Sequence, residues 1–336
     1  MIYSFQLTRH PNIHYREAIQ RLSCCELLSM LKNLSIETEI HVETLGGASF
    51  LTFESRVLTQ DELSWLAGHS SVVFQAAREG NLLLPLPCER MEYMPEDLPE
   101  ILKYKGKTNP TFTRMMINTA LSLTPFARSV PSPVVLDPLC GRGTTLFCAL
   151  CAGAHGVGID IDQRDLKEAS DFFVRYLKYH RMKHELVSGS DTVLHRSIPR
   201  KTFTFAPTKD LFISQDTRTL TLWQADTSLT GPLMKKKAAH IIVSDLPYGV
   251  QHAPQDSHRP EPFHQMLKRV LPSWKDSLCP KGAIALSFNT LTIKAKDVRS
   301  LFVEAGFLPV DSPDFRDLSH SVEQAVTRDV IFALVP

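Results

Sequence analysis

The stretch that most constrains this chain is Val134-Val135-Leu136-Asp137-Pro138-Leu139-Cys140-Gly141-Arg142-Gly143-Thr144-Thr145. A short apolar run leads into an acidic residue, then a glycine-rich turn, then helix-forming residues. Glycines at 141 and 143 let the backbone approach a ligand closely. The helix start that follows offers unpaired N–H groups and the positive end of a helix dipole. The next apolar run ends in Gly158-Ile159-Asp160-Ile161-Asp162. Asp160 therefore falls roughly 20 residues after the turn, the place from which a carboxylate hydrogen-bonds a ribose. Strand, turn, helix, strand and terminal aspartate predict part of a doubly wound parallel sheet with a nucleoside-bearing cofactor. Spacing alone leaves a dinucleotide and another adenosyl cofactor equally open.

The pattern continues along the chain. Strands are predicted at Val134–Asp137, His155–Asp160, Leu220–Ala225, Ile241–Asp245 and Ala283–Phe288. Helices are predicted at Thr144–Ala152, Gln163–Lys183 and Lys294–Ala305, and Val326–Val335 is a final β-rich run. Alternation of this kind defines an α/β fold with helices covering a parallel sheet. Residues 185–217 fall where a short link is expected, and their alternating Lys201–Ala206 run predicts an inserted β-hairpin. Residues 1–83 read as β-α-β-β-α-β, the order of a ferredoxin-like α+β domain. Its strands are Ile2–Leu7, Ile36–Val42, Ala48–Phe53 and Val72–Ala77, with helices at Tyr15–Leu34 and from the capping box Thr59/Glu62 to Leu66. Pro85, Pro87, Pro95 and Pro99 mark 84–103 as a semi-extended linker. The remaining unit spans 104–336.

A formal charge of +1 over 336 residues argues against a nucleic-acid partner only if charge is evenly spread. It is not. Residues 1–100 hold 7 Lys/Arg against 14 Asp/Glu, and the rest of the chain holds the remaining 30 and 22. Residues 164–209 carry ten Lys/Arg against five Asp/Glu, and Lys235-Lys236-Lys237 adds a cluster. Such a stripe suits a phosphate backbone, with Phe203, Phe205 and Phe212 interleaved. A solvated helix face with a hairpin core is the plainer alternative. No apolar run approaches the ~18 residues of a membrane span. Seven cysteines without a leader-like start point to a reducing, cytoplasmic setting. Cys148 and Cys151 fall in an apolar helix, without a second pair to make a zinc site.

The second chemical signal is Ile241-Ile242-Val243-Ser244-Asp245-Leu246-Pro247-Tyr248-Gly249. It puts Asp-x-Pro-Tyr at the carboxyl end of a buried strand, where open α/β sheets bind ligands. An exocyclic amine on a base is a poor nucleophile because its lone pair is delocalised into the ring. Hydrogen bonds to Asp245 and to the Leu246 carbonyl hold that amine, and Tyr248 can stack on the base. In-line positioning supplies most of the remaining catalysis.

Together these motifs resemble class I S-adenosylmethionine (SAM)-dependent amino-methyltransferases. Within them the chain looks most like the THUMP-associated tRNA guanine-N2 methyltransferases and related RNA methylases. Gly106-Lys107-Thr108-Asn109-Pro110-Thr111-Phe112-Thr113-Arg114 resembles the motif such enzymes carry before the first strand, and Leu66–Val73 resembles a segment of their small N-terminal domain. The resemblance implies a Rossmann-like, seven-stranded methyltransferase domain with SAM as cofactor and no metal. It places Thr108, Asn109 and Pro110 near the methionine end, and Asp137, Pro138, Gly141, Gly143 and Thr144 along the methionyl moiety. Asp160 and Ile161 fall at the ribose, and Asp226 at the adenine amine, although Asp226 also reads as a helix N-cap. Asp245, Leu246, Pro247 and Tyr248 hold the target amine. Leu246 stands where the commoner motif has proline. About a hundred residues precede the catalytic unit, short for both the small domain and a THUMP domain.

The expected reaction is methyl transfer to an exocyclic amine, most of all guanine N2 in RNA, with tRNA first. RNA would meet 164–209 and Lys235–Lys237, and a protein partner could meet the acidic N-terminal domain. His252, His258 and His264 fall in a substrate-side polar loop. The alternatives are a methyltransferase of DNA, protein or a small nitrogen-containing metabolite, and a non-catalytic, methyltransferase-like binding protein.

Overall fold

Short apolar runs separated by glycine and proline turns build two sheets, and the helices between them close three layers. The computed structural model describes residues 1–9, 13–234, 237–246, 261–316, 318–323 and 326–336.

The N-terminal unit comprises β1 (Ile2–Leu7), α1 (Ile13–Asn33), β2 (Ile40–Leu45), β3 (Ala48–Glu54), α2 (Gln60–Ala67), β4 (Val72–Glu79) and β5 (Leu82–Leu86). Its strands lie in the order β2-β3-β1-β4-β5, each antiparallel to its neighbours. Gly46 and Gly47, both at positive φ, make the two-residue turn between β2 and β3. Thr59 caps α2 in a full capping box with Glu62, whose carboxyl is held down at about 2 chiefly by its ion pair with Arg56. Two boundaries differ from the sequence reading. The second strand begins at Ile40 rather than Ile36, because Ile36 is drawn into the core beneath α1. The fifth strand takes up Leu84, Pro85 and Leu86, the first residues of the stretch read as a linker.

The rest of 84–103 is packed down rather than extended. Met94 and Leu98 are buried against the C-terminal unit, and the Tyr93 amide donates to the Cys151 carbonyl at 2.9 Å. There follow α3 (Leu98–Ile101), α4 (Pro110–Ser122), α5 (Phe126–Ser129), β6 (Val134–Asp137), α6 (Thr144–Cys151), β7 (His155–Asp160) and α7 (Gln163–Tyr179). Next come β8 (Lys183–Val193), β9 (Arg196–Ala206), α8 (Lys209–Ile213), β10 (Arg218–Gln224), α9 (Thr230–Leu233) and β11 (Ala239–Asp245). The last elements are α10 (Phe263–Ser277), β12 (Leu278–Asn289), α11 (Ala295–Glu304), β13 (Leu308–Pro309), β14 (His320–Glu323) and β15 (Val326–Leu334).

Among the described residues the second sheet has ten strands, ordered β13-β15-β12-β11-β6-β7-β10-β9-β8, with β14 beside β15. Seven strands were expected. In the stretch 185–217, β8 and β9 pair as a hairpin, and β9 pairs antiparallel with β10, so the hairpin prolongs the sheet. The five strands β12, β11, β6, β7 and β10 are parallel, so their carboxyl ends share one edge.

Helices α4, α6 and α7 cover one face, and α9, α10 and α11 cover the other. Helix α1 is buried on two sides. Leu27, Met30, Leu31 and Leu34 join the N-terminal core, whereas Ala18, Ile19, Leu22 and Cys25 join Met115 and Met116 of α4. Glu26, 0% exposed, fastens this junction. It accepts from the Ser70 amide and from Asn118 Nδ2 of α4, each at 2.7 Å. No helix among the described residues is long and apolar enough to cross a membrane.

Candidate active site

Three parallel strands end in aspartates at the same edge: Asp137 on β6, Asp160 on β7 and Asp245 on β11. Each faces a different local environment, and that difference separates their chemistry.

Asp137 is buried. Its Oδ1 accepts from Ser244 Oγ at 2.8 Å and from the Leu139 amide at 3.1 Å. Burial pushes its carboxyl up to about 7, against the lowering effect of the Thr145 and Ser244 hydroxyls. Asp160 braces the glycine turn. Its Oδ2 accepts from the Gly141 amide at 2.7 Å and its Oδ1 from the Asp162 amide at 2.9 Å. Burial raises its carboxyl too, while those two amides pull it back.

The turn has the backbone that glycine allows. Gly141 lies at φ +48 and Gly143 at φ +85. A Cβ built on Gly141 would meet nothing nearer than Asp165 Oδ2 at 3.9 Å, so the space above the turn is open. Pro138 is buried behind it. Thr144, the first residue of α6, shares a 2.7 Å hydrogen bond with the Tyr104 hydroxyl. Arg142 lies 5.0 Å from the Tyr104 ring centre and pairs with Asp165 and Glu168.

Asp245 is held from two directions. Thr108 Oγ1 donates to its Oδ2 at 2.5 Å, and the Arg328 guanidinium lies 3.1 Å from the same oxygen. Arg328 is only 2% exposed and sits over the Phe112 ring at 5.5 Å. Leu246 is buried, its amide bonded to the Ser287 carbonyl at 2.8 Å. Asn109 caps α4 by accepting from the Thr111 amide at 2.8 Å, and Pro110 occupies the first helical position. The structure thus brings Thr108 to Asp245 across 137 residues of chain, with Asn109 and Pro110 starting the helix that follows it.

Ile161 is exposed beside Asp160. Asp226 lies past the end of β10, where it caps a short 3-10 turn by accepting from the Ser228 amide at 2.8 Å. It also pairs with Arg269 at 3.0 Å. Burial alone would raise its carboxyl, but the hydrogen bonds from Ser228 and Arg269 outweigh it and leave it lowered. The N-cap role is therefore the one its contacts show. Pro247 and Tyr248 lie outside the described residues, as do Lys235, Lys236, His252 and His258. His264 falls on α10, not in a loop.

The basic stretch sorts itself by contact. Phe203 and Phe205 are 0% exposed and pack edge-on against Phe173, so they are closed to a base. Arg200 pairs with Asp191, and Lys201 bonds Ser170. Three residues of this edge escaped the sequence reading: Tyr104, Ser244 and Arg328. Only Arg328 left a signal, a lone cation inside an otherwise β-rich apolar run.

No protein-family model matches the chain, and no curated protein matches it. Solved structures similar to it include TrmN from Thermus thermophilus, at 15% identity and a TM-score of 0.40, with 89% of this chain and 60% of that one covered. Another is the magnesium protoporphyrin IX methyltransferase of Synechocystis PCC 6803 with bound SAM, at 15% and 0.38, covering 71% and 90%. A third is the precorrin-6y C5,15-methyltransferase of Geobacter metallireducens GS-15, at 13% and 0.38, covering 70% and 95%. The chain spans 60% of the length of the first of these. At such identities and scores the likeness carries no inference about this chain's reaction.

Proposed function

We propose that this chain is a SAM-dependent methyltransferase acting on an exocyclic amine, with guanine N2 in RNA, tRNA above all, as the first substrate to test. One observation supports it most: Asp137, the Gly141–Gly143 turn, Asp160 and Asp245 converge on one edge of a parallel sheet, each with a distinct polar role. The residues fit the cofactor. The open backbone above Gly141 admits a chain close to the turn, Asp137 suits an ammonium, and Asp160 suits a ribose diol. Thr144, Pro138 and Ile161 would flank it. When bound, SAM supplies an electrophilic methyl group.

The chain's own part is to hold the amine in line. Asp245 and the Leu246 carbonyl would accept its N–H groups, as expected for Asp-Leu-Pro-Tyr. Thr108 and Arg328 fix the carboxylate's other demands, so it does not have to reorganise as charge develops. RNA contact through 164–209 and Lys235–Lys237, a protein partner on the acidic N-terminal unit, and a cytoplasmic setting belong to the same proposal. So does a ferredoxin-like character for the N-terminal unit, which its β2-β3-β1-β4 order supports.

The test is transfer of labelled methyl to total RNA, DNA and a small-molecule extract in parallel. Label entering RNA, lost in Asp245→Ala with SAM binding retained, is the expected result. Label entering only DNA or the extract would redirect the substrate. A chain giving no thermal shift with SAM would not be a methyltransferase.

A further inference from the structure

We infer that the C-terminal end of α7 is an anchoring patch for single-stranded RNA, placed at the opposite edge of the sheet from the candidate active site. It deepens the proposed function and rests on it only for the choice of RNA as ligand.

The placement follows from topology. Helix α7 starts at Gln163, directly after the carboxyl edge where Asp160 lies, and its 17 residues run back to the amino edge. At 1.5 Å per residue its far end is roughly 25 Å away. Four cations gather there: Arg175, Lys178, Arg181 and Lys183, all exposed. Glu185, exposed, falls within the cluster, and the other carboxylates nearest in sequence pair with other cations. Asp165 and Glu168 pair with Arg142, Asp171 with Lys167, and Asp191 with Arg200. Lys237, also exposed, stands at the same edge before β11.

In the middle of this group Tyr179 is 82% exposed. It is not a loose side chain on a frayed end. His180 meets its ring edge-on at 5.0 Å and lies 4.3 Å from the ring of Tyr176. Tyr176 is buried and donates its hydroxyl to Asp97 at 2.5 Å. Arg181 is fixed at φ +55 by the buried Met182, whose amide bonds the Leu177 carbonyl at 2.9 Å. The patch therefore offers a braced aromatic face among exposed cations. That pairing of features suits unpaired bases on a phosphate backbone, stacking plus charge. A duplex hides its base faces, and an anionic membrane or acidic protein makes no demand for an open ring.

Binding of a short fluorescein-labelled single-stranded RNA, followed by anisotropy across a salt series, tests this. Tyr179→Ala is expected to weaken binding at least fivefold, and Tyr179→Phe to keep it, since stacking is worth ~1–3 kcal/mol per base. Lys178→Glu with Arg181→Glu is expected to flatten the salt slope by about 1.4, two phosphates at ~0.7 each. Affinity unchanged in Tyr179→Ala, or equally lost in Tyr179→Phe, overturns the inference. So does a wild-type chain that binds no single-stranded RNA, or that prefers phosphatidylserine vesicles. Methyl transfer is measured separately. A chain that binds RNA through Tyr179 but transfers no methyl group refutes the proposed activity alone. One that methylates RNA while Tyr179→Ala binds as tightly as wild type refutes the patch alone.

Discussion

Asp137 carries the cost of a carboxyl group buried in the fold. Its folded carboxyl sits near pH 7, above the ordinary 3.8 of an exposed aspartate. A group raised on folding contributes stability that is complete below its unfolded value and is lost as pH climbs through the folded one. Stability of the empty protein is therefore expected to decline between about pH 4 and 7 from this group. In Asp137→Asn the amide oxygen can still accept from Ser244 and Leu139, so the variant is expected to show a higher urea midpoint than wild type at pH 8. A midpoint at or below wild type would contradict the burial argument. SAM titrations should show the opposite preference. Wild-type affinity is expected to fall about tenfold per pH unit below 7, because an ammonium needs the ionised carboxylate. The asparagine variant should bind weakly and without that dependence.

Arg328 and Asp245 form a pair in which each is most costly when alone. Removing one partner of a buried ion pair typically costs ~3–5 kcal/mol, and removing both costs far less. Arg328→Met is expected to lower the thermal midpoint sharply, and the double variant Arg328→Met with Asp245→Asn to regain much of the loss. Additive losses in a double-mutant cycle would mean the two do not interact. Both variants should lose transfer, the first because Asp245 is no longer held in place and the second because the carboxylate is gone.

At the scale of the element, the close approach of α6 to β7 depends on Gly158. A Cβ there would lie 2.6 Å from Leu146 Cδ1 and 2.7 Å from Cys140 Sγ. Gly158→Ala is expected to destabilise by roughly 1–3 kcal/mol through overpacking, read by chemical denaturation. A neutral result would mean that α6 can shift outward freely.

The same scale shows what the residues disclose by themselves. β6, β7 and β11 were legible because each is a short apolar run ending in aspartate, with proline just beyond the first and the last. The aspartates could be named for the same reason, although not the partners that two of them draw from other strands, Ser244 for Asp137 and Arg328 for Asp245. β5 was hidden because Pro85 reads as linker. On an edge strand, however, its missing N–H costs little. β8 was hidden because it is exposed along most of its length, so no alternation marks it. Its turn to β9 uses Leu194 and His195, both at positive φ, in place of the usual asparagine–glycine signal. Asp226 was open to two readings on spacing alone, and its contact with Ser228 is a matter of a single turn's geometry.

At the scale of the whole molecule, α1 is the element two cores share. Removing residues 1–86 would strip Ile19, Leu22 and Cys25 from α4 and leave Met115 and Met116 to water. The remaining chain is expected to be insoluble, or to bind the dye ANS strongly, even though every strand of the large sheet is retained. A soluble fragment with a sharp thermal transition would show that the second core closes without α1.

β15 lies between β12 and β13, both of which precede it in sequence. It cannot take its place until a gap between earlier strands has been left for it. Arg328 travels with this strand, so the carboxylate on β11 receives its guanidinium only once that late insertion is complete. A misthreaded chain could present the glycine turn and still lack the contact between Arg328 and Asp245. The two parts of the edge therefore mature separately, the glycine turn within one βαβ unit and the Asp245–Arg328 contact only once β15 is threaded between β12 and β13.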